Sequence, residues 1–236
     1  MKLILQQDKL SNSTTQRLIY YAFAPWCAGN ILQTPVANTK SISYFVNQTK
    51  ILHMKKSIVG AIVGGLLIFI WQFLSWTILD LHRPAQDYHP KQDSIMQYLN
   101  GHFDKDGGYL LPTVPKGTSF DEANKMGEQM IGKPWASIQY HKVYSMNMNE
   151  VYMNLVRGLV SSIFMVWLLC WILGKWGKTG FVNVFMACIF IGLIVFINAP
   201  YSSYIWYKIF DVRAHLLDAL VGWGACGIWL GWWMRK

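Results

Sequence analysis

Four long apolar runs decide what this chain can fold into. They cover residues 57–79, 152–173, 181–199 and 216–234. A helix rises about 1.5 Å per residue, so about 20 apolar residues cross the roughly 30 Å of a bilayer's hydrocarbon. In hydrocarbon every backbone amide must pair internally, which leaves helix or closed barrel. Barrel strands would alternate polar and apolar residues, and these runs do not. The expected fold is mostly α: an integral membrane four-helix bundle. Composition agrees, with 53% hydrophobic and only 14% charged residues among 236. Soluble domains are nearer a quarter charged.

Charge placement predicts the threading. Lys55 and Lys56 precede the first run, Lys175 and Lys178 fill the "GKWGKTG" turn, and Arg235 and Lys236 close the chain. Four spans put all three clusters on one side, which the positive-inside rule makes cytoplasmic. Both termini are then cytoplasmic. The net charge of +9 is spread over such flanks, with no basic stripe for phosphates, so nucleic acid is not an expected partner. The expected partners are the lipid bilayer and a membrane protein or a second copy of the chain. Of the four cysteines, Cys170, Cys188 and Cys226 fall inside apolar runs and Cys27 lies near the start. They are read as small hydrophobes rather than as disulfide or metal ligands.

Between the first two runs, residues 81–151 are predicted to fold as a small α/β extracytoplasmic cap. "DSIMQYLNGHF" has helical spacing and a glycine stop. "GGYLLPTV" and "WASIQYHKV" read as short strands. "SFDEANKMGEQMIG" opens with Ser119 and Glu122 in capping-box register. About 70 residues bury little apolar surface alone, so the cap is expected to rest on helix ends or on a partner. After the third run, "NAPYSSYIWYKIFDVR" reads as an outer loop whose aromatics suit the headgroup zone.

Residues 1–53 carry five basic residues and one acid, Asp8, around an apolar patch too short to span. They are expected to be a disordered or mis-annotated extension, with Met54 as the natural start. The alternative is an amphipathic N-terminal anchor. Domain bounds on this reading are 1–53 for the extension, 54–80 for the first span, 81–151 for the cap and 152–236 for the remaining spans.

Small and polar residues mark the helix contacts. Gly60 and Gly64 form a GxxxG in the first span, and Gly224, Gly227 and Gly231 make a smooth stripe in the fourth. Asp218, Gly222 and Ala225 make a second stripe, so the fourth span is expected to touch two neighbours. Asp218 and Arg157 sit at similar shallow depth from the outer ends of their runs. Charges at depth are costly unpaired, so the two are read as a candidate intramembrane pair, with Asn154 one turn before Arg157.

No sequence motif points to catalysis, a cofactor or a metal. His82, His89, His102 and His141 match no metal spacing. "DKDGG" at 104–108 lacks the later ligands of a calcium loop and reads as a turn. The span centres hold no ionisable group, which disfavours a pump. The expected role is non-enzymatic: an accessory, scaffold or partner-binding subunit. The rival class is a small transporter or lipid-handling membrane enzyme with a site between cap and helices.

"WQFLSW", "GGYLLP", "IQYHK", "IWY" and "LDALVGW" resemble a family of uncharacterised four-span bacterial inner-membrane proteins, over residues 54–236. The chain departs from that pattern at "WYKIF". The resemblance implies four spans and an extracytoplasmic segment after the first. It implies no activity and assigns no site residue.

Overall fold

The computed structural model describes residues 39–176 and 180–235. Lys178, Lys236, Cys27 and the expected extension up to residue 38 lie outside the described residues. Helix α1 runs Thr39–Phe73 and continues as a π turn at Leu74–Ile78. Within the described residues the helix begins at Thr39, ahead of the first apolar run. Four helical stretches are long and apolar enough to cross a membrane: Met54–Ile78, Met148–Lys175, Phe181–Tyr207 and Val212–Trp233. We call the last three α4 (Met148–Lys175), α5 (Phe181–Phe196, extended through Tyr207) and α7 (Val212–Trp233).

Each bound has a local cause. Asn147 caps α4 by accepting from the Glu150 amide at 3.0 Å, which starts the helix ahead of its apolar run. The segment after residue 199, which contains Pro200, was expected to be a loop that leaves the third helix. It does not leave there: a π turn, Ile197–Tyr201, absorbs the proline, and a short helix α6, Ser202–Tyr207, continues the rod. Proline lacks the amide donor and its ring crowds the carbonyl four residues back. Widening the turn relieves that crowding, so part of the expected loop is helical. α6 stops at Lys208, in the left-handed region at φ 49°.

The helices are ordered by close approaches. A Cβ on Gly64 would lie 2.9 Å from Cys226 and Val166, and one on Gly65 would lie 2.5 Å from the Ile163 backbone. α1 therefore sits between α4 and α7. A Cβ on Gly227 would lie 3.0 Å from Cys188 and Phe185, and one on Gly231 would lie 2.8 Å from Phe181, so α7 also lies against α5. On its other face Gly222 meets Trp71. Gly224 has only Ile189 at 3.7 Å. Half of the apolar stretch of α7 is buried, against 28% or less for the other three, which makes α7 the central helix. Trp229 and Trp233 donate indole N–H bonds to the Gly60 and Lys56 carbonyls at 3.3 and 2.8 Å, locking α7 antiparallel to α1. The core is apolar and holds Ile68, Val166, Leu169, Leu173, Leu230 and the free thiols of Cys170, Cys188 and Cys226.

The segment between α1 and α4 folds as expected. It contains α2 (Gln92–His102), β1 (Gly107–Leu111), α3 (Phe120–Met130) and β2 (Ala136–Tyr140). The strands pair antiparallel with Tyr109 opposite Ile138. Ser119 and Glu122 form the reciprocal capping box. The Asp106 carboxylate accepts from the Lys142 amide at 2.9 Å and so extends the ladder by one step. That bond holds the Asp106 carboxyl below the usual carboxylate range.

A buried histidine–aspartate cluster as candidate functional site

The C-terminal end of α1 and the N-terminal end of α7 converge on one imidazole. His82 follows α1 by one tight turn. The π turn ends with the Leu79 amide bonded to the Leu74 carbonyl at 2.8 Å, and the Leu81 amide then reaches back to Ser75 at 3.0 Å. Asp80, between them, takes the left-handed conformation at φ 48° and pairs with Arg83 at 2.9 Å. Aspartate tolerates that conformation better than most residues. This reversal folds His82 back over the end of α1, where it is 1% exposed.

Both ring nitrogens of His82 meet carboxylates. Nδ1 lies 2.8 Å from Asp211 Oδ2, and Nε2 lies 3.0 Å from Asp218 Oδ2. Asp218 Oδ1 accepts from the Trp71 indole N–H at 2.9 Å. His215 Nε2 lies 3.3 Å from the same Asp211 oxygen that His82 faces. Trp76 stacks flat on the His82 ring, with centroids 3.8 Å apart and planes 5° apart, and His215 meets the ring edge-on at 4.7 Å. Asp211 and Asp218 are 6% and 5% exposed. Among the described residues, histidines are the only basic side chains within ion-pair distance of either carboxylate.

The chain sets this up through α7. Asp211, His215 and Asp218 are spaced i, i+4, i+7 and share one face of the helix entry. Asp211 stands at the N-cap position, where an aspartate ordinarily accepts from the first amides. Here its side chain makes no capping bond and is committed to the two histidines. A local helix preference is given up to build the cluster.

Hydrogen-bond arithmetic constrains its chemistry. A neutral imidazole has one N–H and one lone pair, and an ionised carboxylate only accepts. His82 faces a carboxylate on each side. One side can be a plain N–H donation. The other needs a further positive charge: a second ring proton, a carboxyl proton or a cation. Beside the cluster lies a partly enclosed cavity of about 90 Å³, lined by Gln72, Pro200, His215, Asp218 and Trp223 among others. Ser75, in the π turn, has a fully buried hydroxyl with no partner among the described residues.

Asp218 was singled out by its sequence position, but it is not joined to Arg157. Arg157 is exposed and donates to Asn154 at 3.2 Å, in a polar groove with Asn147 and Glu150. The pairing expected from matched depth is replaced by Trp71 and His82. Depth alone does not fix which face of a helix a residue occupies, and Arg157 faces away. The sequence reading missed His82, Asp211 and His215 as a unit. The i, i+4, i+7 spacing of Asp211, His215 and Asp218 was a usable signal.

No protein-family model matches the chain, and comparison with curated proteins and with solved structures gives no match.

Proposed function

We propose that this chain is a multi-pass protein of the bacterial inner membrane that handles a small polar ligand at its outer face. Lys55, Lys56, Lys175 and Arg235 gather at one set of helix ends, which supports placing that end and both termini in the cytoplasm. The α/β unit and the histidine–aspartate cluster then lie on the outer side. Of the two expected classes, the transporter or membrane enzyme with a site between outer connections and helices is favoured over the accessory or scaffold subunit.

The observation that carries this reading is His82, buried between Asp211 and Asp218 beside a cavity. Ionisable groups buried in an apolar bundle are expensive and mark function more often than support. A pure staple between α1 and α7 would not require a second histidine, His215, on the same oxygen and next to open space.

Purified full-length protein in mild detergent tests the reading. Its thermal unfolding is followed against a panel of inorganic cations, anions, small organic ions and phospholipid headgroups. At least one small ligand is expected to raise the midpoint in wild type but not in Asp218→Asn. A stoichiometric co-purifying protein retained by Asp218→Asn, with no ligand shift in either form, would return the scaffold reading.

A further inference from the structure

We infer that His82, Asp211 and His215 form a binding site for one divalent transition-metal ion, with Asp218 as the partner that orients His82. The inference rests on the outer-site reading above and names its ligand.

One ligand atom from each of the three residues lies within 4.8 Å of the others. Two of the separations are 2.8 and 3.3 Å, both shared by Asp211 Oδ2. Nitrogen and oxygen ligands sit about 2.0–2.2 Å from a tetrahedral zinc ion, which puts neighbouring ligand atoms roughly 3.3–3.6 Å apart, so the 3.3 Å pair already matches and the 2.8 Å pair must open by about half an ångström. The cluster is therefore near ligating geometry with small side-chain adjustments.

The outer shell is also in place. A metal-bound histidine ordinarily donates its second N–H to a carboxylate, which fixes the tautomer and raises ligand basicity. Asp218 Oδ2 stands 3.0 Å from His82 Nε2, and Trp71 holds the other Asp218 oxygen. With the proton on Nε2, the Nδ1 lone pair points at Asp211 and is free to ligate. The contact that hydrogen bonding alone leaves short of a proton is the one a cation completes. A divalent ion also offsets the charge of two buried carboxylates whose basic neighbours within ion-pair distance, among the described residues, are all histidines.

Ligand chemistry narrows the ion. Two imidazoles and one carboxylate suit zinc, manganese, iron(II) or cobalt rather than calcium or magnesium. Three protein ligands leave coordination positions open, and the cavity beside His215 gives them room for water or a small anion. An open site suits ligand handling more than structural support.

The test uses the full chain without a histidine tag, stripped with chelator and titrated with Zn²⁺ alone, with bound metal counted by mass spectrometry. Wild type is expected to bind one ion per chain. His215→Gln, at the cluster's accessible edge, is expected to bind at least tenfold more weakly while eluting as wild type. Asp218→Asn is expected to lose about tenfold to a hundredfold, as outer-shell changes do. His141→Ala, at an exposed histidine remote in sequence, is expected to bind as wild type. Co²⁺ loading is expected to give visible bands that His215→Gln alters. Wild type holding less than about a tenth of an equivalent, or equal binding by wild type and His215→Gln, would overturn the inference. If Zn²⁺ fails while another ligand in the unfolding panel still depends on Asp218, only the metal is wrong and the outer site stands.

Discussion

Asp218 has two carboxylate oxygens, and each has one neighbour that fixes it. Removing the Trp71 donor leaves Oδ1 buried without its bond. Hydrogen bonds to charged groups contribute about 1.5–3 kcal/mol. Trp71→Phe keeps the aromatic bulk against Gly222 and is expected to lower stability by roughly that amount, measured by reversible unfolding in detergent. A change below the measurement error would mean that the bond is not held. Asp106 gives a pH signature outside the bundle. Its folded-state carboxyl titrates below the ordinary value, so its bond to the Lys142 amide is fully present above about pH 3.9 and is lost as pH falls through the lowered folded value. The Lys142 amide chemical shift is expected to move only at that acid edge and to lose its titration in Asp106→Asn. Asp218 itself was legible in the sequence because a charge stands out in an apolar run. Its partners were not. His82 belongs to no apolar run, and its burial depends on the reversal at Asp80.

At the scale of elements, glycine contacts and caps carry the argument. Gly65 approaches the Ile163 backbone closely enough that a methyl group must move a helix. Gly65→Ala is expected to destabilise the α1–α4 contact by about 1–3 kcal/mol, while Gly174→Ala, with open space around its Cβ position, is expected to be neutral. Thermal midpoints of the two purified variants check the contrast. In the cap, Ser119→Ala breaks the capping box and is expected to cost about 1 kcal/mol, read as faster amide exchange in the first turn of α3. The capping box and the two cap strands were readable because their signals are local: a serine three residues before a glutamate, and alternation between turn residues. The two π turns were not. Hydropathy does not distinguish a π turn from an α turn, and Pro200 suggests an ending where the widened turn permits continuation. π turns recur at functional sites. Here one leads into the His82 reversal and the other puts Pro200 on the cavity wall.

For the whole molecule, α7 is the organising element, half-buried between α1 and α5 and carrying Asp211, His215 and Asp218 at its entry. The number of long helices was legible because hydrocarbon thickness sets a length that sequence reports directly. The site was not, because it joins residues more than a hundred positions apart through helix rotation, which hydropathy does not encode. The central proposal is that this bundle spans a membrane with the cap and the cluster outside and the lysine-bearing turn inside. Cysteine labelling in intact cells tests it most directly, using Cys27→Ser protein with one cysteine added at Lys116 in the cap or at Lys175 in the turn, and the same protein without the added cysteine as the control for the buried thiols of Cys170, Cys188 and Cys226. A membrane-impermeant maleimide is expected to label the Lys116 position at once and the Lys175 position only after permeabilisation. Labelling of the Lys175 position in intact cells, or a chain recovered in the soluble fraction, would contradict it.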